Sequence, residues 1–130
     1  MKLEQSYGII KYEGDKCSLE VSKDFGDYYF SLIPKYYYAN RPRYKPHITI
    51  VRSGIETIKE NYGMWDGMKI SFVYEPTIKL DRKNYFGEVD NTYFLLDCFS
   101  LYIGLLREHL GLTWFRKGFN SYHLTIANTK

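Results

Sequence analysis

The feature that most constrains the fold of this chain is a short pattern that occurs twice. The segment at positions 46–51 reads PHITIV, and it returns at positions 122–127 as YHLTIA. Successive side chains of a β-strand point to opposite faces, so this alternation predicts two half-buried strands. The polar residues share one face of each strand, while the apolar residues between them enter the core. These polar residues are His47, Thr49, His123 and Thr125.

Two imidazoles and two hydroxyls on the exposed faces of two strands suit acid–base chemistry on an anionic group. One imidazole can accept a proton while the other donates one. The alternative is that each strand carries a His and a Thr without any function. The third His, His109, lies on or beside the apolar stripe of a predicted helix and has no Thr partner. We interpret it as a packing or helix-end residue and take the other four as candidate catalytic residues.

Positive charge is concentrated around the two patterns. The net charge is +3, yet no Asp or Glu lies between Asp27 and Glu56 or after Glu108. A phosphate-bearing ligand needs such charge at its site, although solvated basic loops would give the same pattern. The basic residues of these two spans are Lys35, Arg41, Arg43, Lys45, Arg52, Arg116, Lys117 and Lys130.

Aromatic residues are interleaved with this charge. Two prolines exclude a helix from positions 35–46, and this segment and the connector at 112–122 mix basic and aromatic residues in the manner of nucleotide-contacting loops. The chain has 14 Tyr, most of which must be structural. Bases could stack on Tyr12, Tyr44 and Trp114, although core packing is an equal alternative for each. The candidate substrate-binding residues are Tyr12, Arg43, Tyr44 and Trp114.

Length and composition predict one domain. The chain has 130 residues, of which 45% are apolar and 25% charged, enough for one proper core. We find no run long enough to span a membrane and no apolar signal-peptide core near the N-terminus, so we expect a cytoplasmic protein without membrane association. Cys17 and Cys98 are too few for a metal knuckle, and we expect two buried thiols. We expect no metal, no cofactor and a monomer.

The chain also shows a weak internal repeat in which a strand hairpin, a helix, a basic and aromatic connector and a His-x-Thr strand follow one another. Strands are predicted at 7–13, 17–21, 68–75 and 77–80, with a hairpin formed by 85–89 and 92–96. Helices are predicted at 23–33 with Ser22 as N-cap and at 98–110 with Asp97 as N-cap, and a short helix is possible at 55–62. The repeat predicts a duplicated, two-lobed α+β fold, with antiparallel sheets around a central cleft and helices outside.

Paired His-x-Thr motifs on strands of a duplicated α+β domain resemble the 2H phosphoesterase superfamily. The matched residues are His47, Thr49, His123 and Thr125. The segment NRPRYKPHITIVR at 40–52 is similar to phage members that degrade cyclic oligonucleotide signals of the CBASS defence. The resemblance implies a metal-independent cyclic phosphodiesterase in which one His is the base, the other His is the acid and both Thr bind phosphate oxygens. For a phage-encoded protein the site of action is the host cytoplasm.

Two other functions are compatible with the same residues. The first is an RNA 2′,3′-cyclic phosphodiesterase that acts on RNA ends in repair or processing, for which the substrate is an RNA end instead of a cyclic oligonucleotide. The second is a nucleotide-binding module that keeps the site without catalysis. The sequence does not decide which His is the base.

Overall fold

The computed structural model describes residues 2–83 and 91–129. Within those ranges two strands precede the first α-helix and four strands separate it from the second, and a short 3-10 helix at Lys35–Tyr37 follows the first α-helix. The strands and helices are β1 (Glu4–Glu13), β2 (Lys16–Glu20), α1 (Lys23–Ser31), β3 (His47–Val51), β4 (Lys69–Tyr74), β5 (Lys79–Lys83), β6 (Asn91–Phe99), α2 (Leu101–His109) and β7 (Tyr122–Asn128).

The seven strands of the described residues form one antiparallel sheet in the order β4-β1-β2-β3-β7-β6-β5. Strand β4 also pairs with the end of β6, through Val73 with Phe99 and Tyr74 with Cys98. Six strands therefore close into a ring, while β5 pairs with the first half of β6. The two strands that carry the His-x-Thr motifs, β3 and β7, lie side by side in the middle of the sheet.

Apart from β4 and the 3-10 helix, the order of elements is similar in the two halves of the chain. The first half runs β1, β2, α1, β3, and the second runs β5, β6, α2, β7. In the sheet, β1, β2 and β3 lie side by side and are followed by β7, β6 and β5. The last strand of the first half, β3, therefore lies next to the last strand of the second half, β7, and these are the two motif strands. The predicted α+β class with antiparallel strands is confirmed.

The core lies on the face of β3 and β7 that the motif residues do not share. Ile48, Ile50, Leu124 and Ile126 are buried, which is the alternation that the sequence predicts. Helix α1 packs against β7, and α2 packs against β4 and β3. Neither of these helices, each nine residues long, has the length and apolarity needed to cross a membrane within the described part of the chain.

Two glycines allow the helices to approach their neighbours closely. At Gly26 of α1 a Cβ atom would lie 2.5 Å from Cγ of Pro46, the residue before β3. At Gly104 of α2 a Cβ atom would lie 2.0 Å from the ring of Trp114. Real Cβ atoms do not approach that closely, so any larger residue would push the partner away. Gly26 therefore lets α1 rest directly on the residue that leads into the first motif.

Several predicted elements differ from the observed ones. Helix α1 begins after Ser22 as predicted, with the Phe25 N–H donating to Ser22 Oγ. Helix α2 begins after Ser100, because Asp97 and Cys98 continue β6 as partners of β7. The prediction of Asp97 as N-cap was wrong.

The short helix considered at 55–62 is absent from these described residues. A loop takes its place, and Asn61 has a positive φ of 56° that ends any helical run. Its side-chain amide donates to the carbonyl of His109, which ties the loop to α2. The predicted strand at 77–80 is observed as β5, at Lys79–Lys83. The strand predicted at 85–89 lies outside the described residues.

Candidate active site

The two motifs meet on one face of the sheet. Strands β3 and β7 pair through Ile48 and Leu124, both fully buried. The antiparallel register, continued by one residue in each direction, sets His47 opposite Thr125 and Thr49 opposite His123. Because neighbouring side chains alternate in direction, these residues share the face away from the core. The fold thus brings all four candidate catalytic residues together.

A cavity of about 420 Å³ opens beside this cluster. Thr49, His123 and Thr125 line it, and His47 lies across the strand pair from Thr125. The remaining lining combines charge with aromatic surface, which suits a ligand that carries both phosphate and a ring. The charged and aromatic residues of the lining include Arg52, Asp81, Tyr93, Arg116 and Phe119.

The ring of His47 is fixed by the backbone. Its Nδ1 lies 2.8 Å from the carbonyl oxygen of Lys45. A carbonyl oxygen only accepts hydrogen bonds, so Nδ1 carries the proton in the neutral ring and Nε2 has the free lone pair. Pro46, packed under α1 at Gly26, separates the two residues. The tautomer of His47 that the local structure selects is therefore the one with Nε2 available as a base.

The ring of His123 has different surroundings. Its Nε2 lies 3.3 Å from Oδ1 of Asp97 and 3.4 Å from Oγ of Ser121. The ring of Phe119 stands edge-on to it, with 5.7 Å between centroids. Sequence reasoning had assigned Asp97 to a helix cap and so missed this contact. The signal that finds it is the strand register, in which Asp97 of β6 is the direct partner of His123 of β7.

A second groove, of about 210 Å³, also has Thr125 in its lining. Candidate residues Arg43 and Tyr44 line it, and Tyr44 is 67% exposed. Arg41 lies 4.5 Å above the ring of Phe30 in the same groove. Thr125 lines both the cavity and this groove. The cavity and the groove therefore adjoin at Thr125.

Asp27 anchors the guanidinium of Arg41 in that groove. Its carboxylate accepts hydrogen bonds from Lys23 and from Arg41. The Lys23 hydrogen bond and the charge of Arg41 lower the pKa of Asp27. Arg41 is thereby held against Phe30 as part of the groove wall.

The other two candidate substrate-binding residues have structural contacts away from the linings of the cavity and the groove. The Tyr12 hydroxyl donates to the carbonyl of Met64 at 2.8 Å, its ring packs against Tyr62, and burial raises its pKa. Trp114 covers Gly104, and its indole N–H donates to Glu108 at 2.8 Å. Within the described residues, the fold brings Arg43 and Tyr44 to the motifs and does not bring Tyr12 or Trp114.

A buried arginine supports the motif strand from behind. Arg107 of α2 is 1% exposed, and its guanidinium donates to both carboxylate oxygens of Glu56 and to the carbonyl of Ile50 in β3. Its Nε donates to the carbonyl of Thr113 at 2.7 Å. Burial raises the pKa of Glu56, but the hydrogen bond and charge of Arg107 outweigh that effect and lower it. Arg107 therefore joins β3 to α2 and forms part of the cavity wall.

Comparison of this chain with protein-family models, with curated proteins and with solved structures found no match. The described residues also contain no group of three or more His, Cys, Asp or Glu side chains that could hold a metal ion. The case for a function therefore comes from the residues of the site.

Proposed function

We propose that this protein is a phosphodiesterase of the 2H type that cleaves phosphodiester bonds in cyclic oligonucleotides. The observation that carries the proposal is the cluster of His47, Thr49, His123 and Thr125 on neighbouring antiparallel strands. Two imidazoles and two hydroxyls on one exposed face, beside a cavity with arginines, are the groups that phosphodiester cleavage needs.

The chemistry uses each group once. One imidazole takes the proton from the attacking oxygen, a ribose 2′-hydroxyl or a water. The attacking oxygen forms a bond to phosphorus as the bond to the leaving oxygen breaks, and the other imidazole donates its proton to that oxygen. The hydroxyls of Thr49 and Thr125 donate hydrogen bonds to the non-bridging oxygens, where negative charge increases. Arg52 and Arg116 in the cavity lining add positive charge at the same place.

The two recesses beside Thr125 favour a substrate with a nucleoside on each side of the scissile phosphate. A phosphate bound at Thr125 would adjoin both the larger cavity and the groove of Arg43 and Tyr44, because Thr125 lines both. A terminal 2′,3′-cyclic phosphate has a nucleoside on one side alone and would leave one recess empty. Together with the resemblance to phage enzymes, this favours degradation of cyclic oligonucleotide immune signals, by a monomer acting in the host cytoplasm.

The test is turnover of a panel of 3′,5′-cyclic di- and trinucleotides, analysed chromatographically and repeated in EDTA. We expect cleavage of at least one member in both conditions. His47→Ala and His123→Ala should each lower the rate by about a hundredfold or more, because each removes a proton-transfer partner. His109→Ala is the matched control, since this exposed His ends α2 away from the motifs. It should retain wild-type turnover.

The same assay separates the alternatives. A linear oligoribonucleotide with a 2′,3′-cyclic end that is turned over faster than every cyclic oligonucleotide would make the protein an RNA-end enzyme. Saturable, salt-sensitive binding without turnover of any substrate would make it a nucleotide-binding module. A stable His123→Ala protein with full activity would refute the proposed mechanism.

A further inference from the structure

Asp97 is the closest carboxylate contact of His123 within the described residues. The two residues are direct partners in the β6–β7 register, and Oδ1 of Asp97 lies 3.3 Å from Nε2 of His123. We infer that Asp97 is a positioning residue that fixes the ring of His123 for proton transfer. This inference rests on the proposed function, because it assigns the working nitrogen of one of the two histidines.

The carboxylate of Asp97 is itself held in place. Lys79 of β5 forms an ion pair with its other oxygen, Oδ2, and lies 3.3 Å from Glu75. The hydrogen bond to Asp97, followed by that to Glu75, raises the pKa of Lys79, so this ammonium is charged at neutral pH. Three neighbouring strands thus contribute to one row in which Lys79 fixes Asp97 and Asp97 faces His123. With one oxygen bound to an ammonium, the carboxylate is oriented toward the ring.

This row selects one tautomer of His123. Nε2 has an Asp97 carboxylate oxygen at 3.3 Å and the Ser121 hydroxyl at 3.4 Å. The carboxylate can only accept a hydrogen and the hydroxyl can accept one as well, so these neighbours favour the neutral ring with its proton on Nε2, which leaves Nδ1 to exchange a proton with substrate. His47 has the opposite arrangement, with Nδ1 held by the carbonyl of Lys45. The two catalytic rings therefore work through different nitrogens, Nε2 in His47 and Nδ1 in His123.

The first half of the fold contains a natural comparison. Glu20 of β2 is the direct register partner of His47, as Asp97 is of His123. Its carboxylate lies 3.4 Å from Nζ of Lys11, and the hydrogen bond of the His47 ring goes to a backbone carbonyl. Glu20 therefore serves as a control for a carboxylate at the equivalent position. Around His123, the other charged residues of the cavity are Arg52, Asp81, Arg107 and Arg116.

The first arm of the test is kinetic and compares Asp97→Asn, Glu75→Gln and Glu20→Gln. Asp97→Asn keeps the shape and removes the charge that holds the ring. We expect its kcat to fall by about tenfold or more with KM changed by less than about twofold, because proton transfer is misaligned while binding is kept. Glu75 shares Lys79 but does not contact His123, so Glu75→Gln should keep wild-type kcat, as should Glu20→Gln. Equal kcat in all three variants would overturn the inference.

The second arm does not depend on activity. In ¹⁵N-histidine spectra of the neutral rings, the wild type should show Nδ1–H for His47 and Nε2–H for His123. Asp97→Asn, or Asp97→Ala if the first variant does not fold, should give His123 a mixture of tautomers and leave His47 unchanged. An unchanged His123 tautomer in these variants would refute the positioning role. A wild type inactive on every diester would remove the proposed function, and these spectra would then decide the contact by themselves.

Discussion

Replacement of Arg107 tests how the motif strand β3 is supported. The guanidinium is 1% exposed and reaches three separate segments of the chain. It donates to Glu56 at 2.9 and 2.6 Å, to the carbonyl of Ile50, and through Nε to the carbonyl of Thr113. The side chain of Glu56 is 14% exposed, so this is an ion pair removed from bulk water. Loss of either partner must leave buried polar groups behind.

The two single replacements differ in what they leave unpaired. Arg107→Ala leaves the Glu56 carboxylate and two backbone carbonyls without this donor, together with a cavity. Removing one partner of a buried ion pair costs about 3–5 kcal/mol of unfolding free energy. Glu56→Ala also removes one partner, but it leaves the guanidinium bonded to both carbonyls and creates a smaller cavity, so its cost should lie at the lower end of this range, about 3 kcal/mol. Arg107→Ala is therefore expected to be the more destabilising change.

Urea denaturation of the wild type, both single variants and the double variant measures these costs. A coupling free energy of about 0.5–3 kcal/mol in the resulting double-mutant cycle would report the pair itself. Arg41→Ala is the matched control, because Arg41 pairs with Asp27 at the surface and its side chain is 55% exposed. It should cost no more than about 1 kcal/mol. If Arg107→Ala costs no more than Glu56→Ala or Arg41→Ala, the supporting role of Arg107 is wrong.

Three further predictions concern packing, pH and thiol reactivity. Gly26→Ala should lower the unfolding free energy in urea by about 1–3 kcal/mol, since overpacking against Pro46 outweighs the helix propensity gained; equal or greater stability would contradict that contact. The pKa of Glu56 is lowered in the folded state, so the ionised carboxylate contributes fully to the unfolding free energy above the ordinary pKa of 4.5. This contribution is lost as the pH falls through the lowered pKa. The unfolding free energy should therefore fall less on acidification in Glu56→Gln than in the wild type. Burial raises the pKa of the Cys17 thiol to about 12 and also raises that of Cys98, so both should react with a disulfide reagent after unfolding and not before; rapid labelling of the native protein would contradict their burial.

The parts of the fold that depend on local patterns could be predicted from the sequence. The alternation around Ile48 and Leu124 indicates which side of each strand is buried, and the structure has both residues fully buried. Helix α1 begins after Ser22 for a reason that can be read from the sequence, because a Ser hydroxyl can accept a hydrogen bond from an N–H of the first turn. The pairing of β3 with β7 is different in kind. It depends on Ile48 and Leu124, which lie 76 positions apart in the sequence, and no local preference encodes it.

The error at Asp97 has the same origin. Asp and Ser are both good N-caps, and apolar residues at helical spacing follow each of them, so the sequence does not determine which one begins α2. Cys98 is held in β6 by pairing with Tyr122 on one side and Tyr74 on the other. These long-range pairs extend the strand and move the helix start to Ser100. The carboxylate of Asp97 is thereby placed beside His123 instead of at a helix end.

The aromatic residues show a second limit of prediction from the sequence. Tyr44 and Trp114 both lie in basic and aromatic segments, and composition alone gives them the same interpretation. In the structure Tyr44 is largely exposed beside Thr125, while Trp114 packs over the gap left by Gly104 in α2. A glycine in the middle of an otherwise apolar helix is the signal that a large ring packs there. The difference in role between Trp114 and Tyr44 thus depends on Gly104, which lies ten positions before Trp114 in the sequence.

The similar order of strands in the two halves explains why the motifs alone do not assign the proposed roles of the two histidines. Each His has a carboxylate as its register partner, Glu20 for His47 and Asp97 for His123, and each carboxylate is bound by a lysine from the next strand. The motifs and their first neighbours are therefore nearly equivalent. The difference arises two residues before His47, where the carbonyl of Lys45 accepts a hydrogen bond from Nδ1–H and holds the ring without Glu20. Because each ring is then held by a different atom, the proposed mechanism predicts that the direction of proton transfer depends on these contacts and not on the His-x-Thr pattern alone.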